Sequence, residues 1–570
     1  MKKFIIIFIM LAMGGSILFL YLSAHEFRSY PVFQSEFVKK IYYSFRLTQN
    51  YVRSVPAFES TAQYLKDNFS SFRFAKELYR SSRKTAPTIY YVDFAGGSDS
   101  NDGKSPSTPL KHCPGDPDAG GNASSVELFP GDTVVFKGGV EYRGTVNILW
   151  SGELEDKRII YDGNSAGTFG TGKAIIDGEN KWPQGIYSKE KKIKFITIKN
   201  FEIKNITEDK HSYVYTSGIF FADENFNIKI ENCYIHNVGI WASDGKVDIQ
   251  GSGIRLVNPR NCEVTGCELT KTGAVGIGTA GAIDCLIAKN NIHDYVRWGI
   301  DIEGHTGNTT GNVIRGNTIH DLYQYDIPFW TGNPNNAPHI DFVFIRQGSD
   351  QSQRPFGNIV EQNIFYNNYK FTTDYGGTAM VFLSLADRNI IRNNIFINPH
   401  SYSTVSFAWG SYENEFYNNI IYSPRTGGLS IRSMESPGGT KIKNNIIIAV
   451  SDLIAWESKN DEKGWEINNN YYCSAKPESF HRMKDVAFLT FAQWQKTFGN
   501  DMHGGIFKSI DDFKFVDTSG YPTACHTMDL RLQPSSPLVD RGIPLPGFSN
   551  DYLGNARPQG RRWDVGPYER

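Results

Sequence analysis

The sequence predicts an all-β protein built as a solenoid of short parallel strands. A pattern in which polar residues rich in Asn stand between apolar residues recurs ten times, from ITIKNFEI to INNNYY. Its copies are regularly spaced, and their strands are rich in β-branched and aromatic residues, which favour a pleated strand. Each copy is therefore predicted to form one coil that buries its apolar face against its neighbours.

The spacing of the copies fits a coil. Between equivalent turn positions, five of the nine intervals are 23 to 27 residues long, and the others are such a length plus an insertion. Equivalent residues would stack about 4.8 Å apart, so that stacked Asn amides can bond along the axis. The turn positions are Phe201, Cys233, Cys267, Asn290, Asn317, Gln362, Asn393, Asn418, Asn444 and Asn469.

The N-terminus predicts export. The basic start MKK precedes an uncharged apolar run from Phe4 to Leu22, and about 20 apolar residues span a bilayer. We interpret residues 1–24 as an uncleaved signal anchor, because the run is longer than a usual signal core and Leu22 is not small. The anchor would hold the protein on the inner membrane facing the periplasm. A cleaved signal peptide, which would give a secreted protein, is the alternative.

The rest of the chain divides into four parts, set by its composition, its repeats and the resemblance described below. Residues 25–87 have helical spacing and few glycines, which predicts a short helical stalk or cap. Residues 88–194 are interpreted as the opening segment with the first coils, 195–475 as the main coils and 476–570 as a closing segment.

Charge and cysteine content exclude several classes of protein. The formal net charge is −1, without the basic excess that a nucleic-acid partner requires. Seven cysteines in 570 residues are too few for a disulfide scaffold, and no CxxC pair indicates zinc.

With these features, the chain resembles the right-handed parallel β-helix proteins of the pectate-lyase-like superfamily, which act on carbohydrates. Besides the repeats, the resemblance rests on YYVDFAGGSDSNDGKSPSTPLK (90–111), FPGDTVVFKGG (129–139), FAQWQKTFGNDMHG (491–504) and the closing DLRLQPSSPLVDRGIP. It covers residues 88–570 and implies a right-handed solenoid of about ten or more coils with three strands in each. Such folds carry hydrolases, lyases, epimerases and adhesins, so activity has to be argued from the site.

In these relatives the outer face of one sheet forms the substrate groove. The resemblance places the strands of that sheet at residues 218–222, 253–257, 276–280, 299–303, 342–346, 379–383, 404–408, 428–432 and 453–457. Within WGIDIEGH (298–305), Asp301, Glu303 and His305 are alternate residues and share the outer face, while Ile300 and Ile302 face the core. These three polar residues are the predicted catalytic centre.

The neighbouring coils supply the predicted surroundings of this centre. Arg255 lies two coils before it and Arg346 one coil after it, and both are predicted to bind substrate. Gly278 and Ala280, on the coil before, would leave room for a sugar ring. A solvated face with ordinary ion pairs is the alternative interpretation.

The largest insertion, within residues 318–361, adds further candidates. Loops on a rigid scaffold often carry function, and aromatic and amide side chains suit the apolar face and the hydroxyls of a sugar. The predicted sugar-binding residues here are Tyr325, Trp330 and Asn335. His339 and Asp341 are additional catalytic candidates. Packing of the loop on the solenoid is the alternative.

Three functions fit these residues. Hydrolysis of a glycosidic bond uses two carboxyl groups, needs no cofactor and is slightly favoured because acidic residues point outward and no Lys does. A lyase acting on a uronate polymer is the second; Arg255 or Arg346 would serve as base or neutralising cation, and Asp301 and Glu303 would bind Ca²⁺. The third is a carbohydrate-binding β-helix without catalysis that handles an exopolysaccharide.

Other polar positions are given structural roles. His236, His293 and His320 fall at equivalent positions and are predicted to form a structural stack. The cysteine pairs 233/267 and 262/285 would be stacked neighbours within disulfide reach. A reduced, buried ladder is preferred over disulfides.

Overall fold

The chain divides into two units, residues 1–86 and 87–570. The computed structural model describes residues 4–9, 18–23, 86–190, 192–207, 216–239, 251–322, 340–349, 353–367, 379–398, 403–425, 427–432, 439–450, 454–456, 464–483 and 486–570. In the first unit, Phe4–Ile9 pairs antiparallel with Leu18–Ser23. The predicted N-terminal helix is therefore not shown, and among the described residues no helix has the length and apolarity to cross a membrane. The predicted stalk lies almost wholly outside the described residues.

The second unit is a solenoid of three sheets. Successive strands enter the first, second and third sheet in turn, and each pairs in parallel with its counterparts in the coils before and after. This confirms the predicted parallel β-helix with three strands per coil.

Within the described residues, the first sheet consists of Ile89–Val92, Thr133–Phe136, Ile159–Asp162, Lys194–Lys199, Asn225–Glu231, Pro259–Arg260, Glu263–Thr265, Leu286–Ala288, Val313–Arg315, Ile359–Glu361, Ile390–Arg392, Glu415–Tyr417, Lys441–Lys443 and Glu466–Asn468. The second sheet consists of Glu141–Arg143, Ala174–Asp177, Phe201–Ile206, Tyr234–Val238, Glu268–Thr272, Asn291–Tyr295, Thr318–Leu322, Ile364–Tyr366, Ile395–Ile397, Ile420–Ser423, Ile446–Ala449, Tyr471–Ser474 and Gly505–Phe507.

The third sheet carries the candidate site. Its described strands are Val146–Asn147, Gln184–Ser188, Ser217–Phe221, Ser252–Val257, Val275–Ala280, Trp298–Glu303, Asp341–Arg346, Ala379–Ser384, Val405–Ala408, Leu429–Arg432, Ile454–Trp456, His481–Met483 and, antiparallel at the end, Val486–Leu489. The nine predicted strands of this sheet all exist, with ends within one residue of the predicted ones. The strand positions that the resemblance implies are therefore confirmed.

The remaining described elements are one α-helix, an antiparallel strand pair and several short 3-10 turns, most of them in the closing segment. The helix Phe491–Phe498 begins at a capping box formed by Thr490 and Gln493 and ends at Gly499, whose φ of 69° is left-handed. Phe515–Asp517 pairs antiparallel with Asp529–Leu532. Short 3-10 turns occupy Ala123–Ser125, Glu155–Lys157, Pro477–Ser479, Ile510–Phe513 and Cys525–Thr527.

Buried Asn side chains bond along the axis as predicted. Asn394 Nδ2, for example, donates to Asn419 Oδ1 at 3.0 Å. This inner ladder comprises Asn290, Asn317, Asn363, Asn394, Asn419, Asn445 and Asn470, and ends on Asp501. A second ladder comprises Asn312, Asn358, Asn389 and Asn414. Each amide forms hydrogen bonds with the next buried amide, because polar groups inside a solenoid need hydrogen-bond partners.

One part of the predicted turn series is wrong by one residue. Asn317 bonds to Asn363, not to Gln362. From Gln362 onward, the predicted positions belong to an outer column with left-handed φ, as in Gln362 at 56° and Asn393 at 52°. Two adjacent amide residues look equivalent in the sequence, and only the packing distinguishes the inward one.

The outer column holds the closing segment. Asn393 Nδ2 donates to the carbonyl oxygen of Asn550 at 2.8 Å, and Asn444 Nδ2 to that of Ile543 at 2.8 Å. Gln362, Asn418 and Asn469 make similar bonds to it. The turns therefore fasten residues 541–566 along the solenoid.

The predicted histidine stack is present in part. The rings of His293 and His320 stack at 4.9 Å with an angle of 10° between them. His236 lies in the same column, but Thr270 occupies the coil between it and His293. The four cysteines predicted to stack in pairs form no disulfides and are buried.

Candidate active site

The third sheet brings two carboxylates and two arginines together on its outer face. Asp301 pairs with Gly278 on the coil before, and Glu303 pairs with Arg346 on the coil after. Arg255 lies in the column of Asp301, one coil beyond Gly278. Ile300 and Ile302, which alternate with the two acids along the strand, are fully buried in the core. The predicted outward orientation of these residues is confirmed.

The four side chains form one ion-pair network, which we call the acid–arginine cluster. Arg346 donates to both oxygens of Asp301, from Nε at 3.0 Å and from Nη2 at 3.1 Å. The same Nη2 lies 3.2 Å from Glu303 Oε2. Arg255 Nη2 donates to this Oε2 at 2.8 Å, and its Nη1 lies 3.7 Å from Asp301 Oδ2. Two positive and two negative groups thus neutralise one another.

The side chain of Arg255 lies over Gly278. Arg255 must cross one whole coil to bond Glu303, and its side chain passes over Gly278. A Cβ atom on Gly278 would lie 2.9 Å from Arg255 Nη1, closer than such contacts normally allow. The prediction that this glycine leaves room for a sugar ring is therefore wrong, because Arg255 fills the space.

Exposure separates the two carboxylates. The side chain of Asp301 is 0% exposed and that of Glu303 is 16% exposed. Both arginines contact Oε2 of Glu303, and Oε1 makes no hydrogen bond within the described part of the chain. Glu303 is therefore the carboxylate of the cluster that a substrate can touch.

The pKa values of the two carboxyls move in opposite directions. Burial is the largest influence on both and raises each pKa, while Arg346 and Arg255 lower them. For Asp301, which is fully buried, the balance raises the pKa. For Glu303 the two guanidinium groups outweigh burial and lower the pKa. Carboxyls separated in this way suit different roles in acid–base chemistry.

Aromatic side chains support Arg346. Its guanidinium carbon lies 4.9 Å from the ring centre of Trp298 and 5.6 Å from that of Phe344. These two rings lie 5.3 Å apart, and Phe382 continues the series 5.4 Å from Phe344. Since this outer-face cluster is buried, it holds the guanidinium in a fixed plane beside Asp301.

His305 and Asp341 lie outside the acid–arginine cluster, one just after the end of its strand and the other at the start of the next strand. His305 follows the strand that carries Glu303, is partly exposed, and its charge contributes to the lowered pKa of Glu303. Asp341 pairs with Trp298 and is fully buried, and its Oδ1 accepts from the backbone N–H of Ala379 at 3.0 Å. Three residues along a strand separate it from the level of Asp301, about 10 Å.

The other predicted site residues cannot be placed. Tyr325, Trp330, Asn335 and His339 lie outside the described residues.

A calcium ion does not fit the acid–arginine cluster. Ca²⁺ takes six to eight oxygen ligands, whereas both oxygens of Asp301 and Oε2 of Glu303 already accept from guanidinium groups. Nor does any group of three or more His, Cys, Asp or Glu side chains converge on one point within the described residues. The charge that a bound cation would supply here already comes from Arg255 and Arg346.

Sequence reasoning missed the aromatic series beside the site. Phe344 and Phe382 belong to FVFIR and AMVFL, which have apolar residues at both alternating positions. An outward apolar residue at such a strand is the signal that could have revealed a second, outer cluster.

A family model described as a right handed beta helix region matches residues 175–339. No curated protein matches the sequence at a significant level. This match agrees with the three parallel sheets of the second unit, whose fold is a right-handed parallel β-helix.

Several solved structures are similar in fold. The complex of XylC with xylose shares 13% identity and a TM-score of 0.47 over 84% of this chain and 98% of that one. Lacto-N-biosidase from Eubacterium ramulus shares 14% identity and a TM-score of 0.44 over 80% of this chain and 76% of that one. The pectate lyase Pel9A shares 17% identity and a TM-score of 0.38 over 86% and 98%. At these identities, the likeness concerns the fold alone.

Proposed function

We propose that this protein is an exported enzyme that hydrolyses glycosidic bonds of a polysaccharide in a groove on the third sheet. The observation that carries the proposal is the acid–arginine cluster, in which one guanidinium joins a buried carboxylate to a partly exposed one on the outer face. Export is proposed from the apolar N-terminal run alone. Neighbours in fold named as a lacto-N-biosidase and a pectate lyase motivate the choice of carbohydrate substrates.

The role proposed for each residue follows from how exposed its side chain is. Glu303, held ionised by both arginines, is the nucleophile or base. His305, which is partly exposed at the same strand end, is the proton donor, a role that imidazole commonly fills. Asp301 is a positioning residue, because it is fully buried and both its oxygens hold Arg346.

Lysis is less well supported by the cluster. A lyase needs a base that is free of its proton, and Asp301 and Glu303 raise the pKa of Arg346 against the effect of burial. Arg346 therefore stays protonated and would neutralise a uronate without abstracting its proton.

Binding without catalysis is the second candidate. It is favoured by the ion pairing within the cluster, since both carboxylates already contact guanidinium groups. In that case the groove would hold an exopolysaccharide, and the cluster would stabilise the sheet.

One assay separates these candidates. The purified full-length protein is incubated with neutral and uronate-containing polysaccharides, while reducing ends and the ultraviolet absorbance of unsaturated products are followed. We expect reducing ends without rising absorbance. We also expect Glu303→Gln to lose about 10²-fold or more of the activity. Rising absorbance would identify a lyase, and binding without product would favour the second candidate.

A matched variant controls for folding. Glu413→Gln changes a carboxylate whose ion pair with Arg388 is long, at 3.8 Å, and more than half exposed. It should retain wild-type activity. If Glu303→Gln retains activity as well, Glu303 is not the working carboxylate.

A further inference from the structure

An exposed tryptophan lies beyond the cluster on the third sheet. Trp409 is 45% exposed and is the only aromatic residue among the strongly exposed large apolar side chains of the described residues. It directly follows Ala408, and the column of Ala408 leads back through Ser384 and Arg346 to Glu303. Three coil steps separate the two sites, about 14 Å along the axis.

The local backbone does not favour a tryptophan there. The φ angle of Trp409 is 51°, in the left-handed region that disfavours bulky side chains. The ring packs against Phe382 in an edge-to-face arrangement, with centres 5.7 Å apart and an angle of 62°. The ring is thus supported from the aromatic series beneath it, while much of its surface remains open.

A fixed polar pair lies beside the ring. Arg354 donates from Nη2 to the carbonyl oxygen of Gly410, the next residue, at 2.7 Å, and from Nη1 to Asp387 Oδ2 at 3.0 Å. Its guanidinium also lies 4.9 Å from the ring centre of Tyr412, whose N–H donates to Asp387 Oδ1 at 2.9 Å. A guanidinium and a carboxylate are therefore held in place by bonds to the backbone one and three residues after the exposed Trp409.

We propose that Trp409 and the Arg354–Asp387 pair form a sugar-binding subsite for a ring of the same polysaccharide chain that reaches Glu303. An aromatic ring complements the apolar face of a pyranose, and the guanidinium and carboxylate complement its hydroxyls. The common outer face and the continuous column from Glu303 make one extended ligand the occupant that fits. This inference rests on the proposed function and adds a subsite that sets chain-length preference.

The test compares variants of the full-length protein on long and short substrates. Trp409→Ala should raise KM and the dissociation constant for the polysaccharide about three- to tenfold, with kcat nearly unchanged. Short oligosaccharides that occupy only the Glu303 region should show no difference. Trp409→Phe, which keeps a ring, should retain most of the affinity. Leu553→Ala removes an exposed apolar side chain of the closing segment and serves as control.

A glycine variant separates binding from packing. Glycine accepts a φ of 51° without strain, so Trp409→Gly should keep or raise the midpoint of thermal unfolding while losing affinity. A lower midpoint with unchanged affinity would show that Trp409 is a packing residue and would overturn the subsite.

The outcomes also separate the two proposals. If the wild-type protein cleaves or binds a polysaccharide and Trp409→Ala behaves like Leu553→Ala, the subsite alone is refuted. If the wild type neither binds nor cleaves any polysaccharide tested, the proposed function fails and the subsite fails with it.

Discussion

At the scale of single residues, the candidate site depends on how far a side chain reaches across coils. Arg255 bonds Glu303 across Gly278, on the coil between them, where an added Cβ atom would lie 2.9 Å from Arg255 Nη1. The two guanidinium groups lower the pKa of Glu303 against the effect of burial, and the side chain of Asp301 is fully buried. Charged residues from two columns of the third sheet thus form a single ion-pair network.

A first prediction concerns Arg346. Arg346→Ala would leave Asp301 buried without its bidentate partner, and breaking a buried ion pair by removing one partner costs about 3–5 kcal/mol. We therefore expect the free energy of unfolding in urea to fall by about this amount. Arg388→Ala, which removes an exposed pair with Glu413, should cost less than about 1 kcal/mol. Equal losses in both variants would contradict the buried network.

At the scale of elements, the inner Asn ladder ends in a residue of different chemistry. Asp501 accepts from the backbone and the side chain of Asn470, at 2.9 and 3.1 Å, and from Tyr472 Oη at 2.5 Å. Among the described residues, no further Asn continues this ladder beyond Asp501, so this last position only has to accept hydrogen bonds. A carboxyl group suits that task, but it also titrates.

A second prediction follows from this carboxyl group. Burial raises the pKa of Asp501 from 3.8 to about 7, against the lowering effect of its hydrogen bonds to Tyr472 and Asn470. Between these values the folded protein holds a proton that the unfolded chain has released. Stability should therefore fall as pH rises from about 4 to about 7, by up to about 4 kcal/mol, and level off above that.

The measurement is the difference in unfolding free energy between the wild type and Asp501→Asn across this pH range. Subtraction removes the contribution of other groups that titrate there, such as Asp564, whose pKa burial raises to about 6. A difference that does not change with pH would show that Asp501 is ionised throughout.

At the scale of the whole molecule, the closing segment is fastened to the solenoid. Besides the outer amide column, Arg557 and Glu569 form a fully buried pair at 2.8 Å. Arg557 also donates to Asn393 Oδ1 at 3.3 Å and to the carbonyl oxygen of Gly566 at 2.9 Å. One side chain therefore links the end of the chain to a turn more than 150 residues earlier.

A third prediction tests this link. Arg557→Ala should leave Glu569 buried and unpaired and lower the free energy of unfolding by about 3–5 kcal/mol. We expect limited proteolysis to release the closing segment before the coils are cut. Arg531→Ala, which removes an exposed pair with Asp529, is the control. Simultaneous digestion of both parts would contradict a separately fastened segment.

The sequence by itself determined the parallel coils, the strands of the third sheet and the outward orientation of Asp301 and Glu303. The coils follow from repetition along the chain and the outward orientation from alternation within a strand, while the resemblance to known β-helices placed the strands of the third sheet. Only the tertiary structure decided that Arg255 and Arg346 pair with these acids, and that the side chain of Arg255, not a ligand, lies over Gly278. The same holds for which of two adjacent amide residues in a turn points inward. The tertiary structure also decided that Trp409 is exposed while Phe382 is buried. These features depend on side chains from coils 25 or more residues apart, whose contacts are set by packing across the axis and not by the pattern of any one repeat.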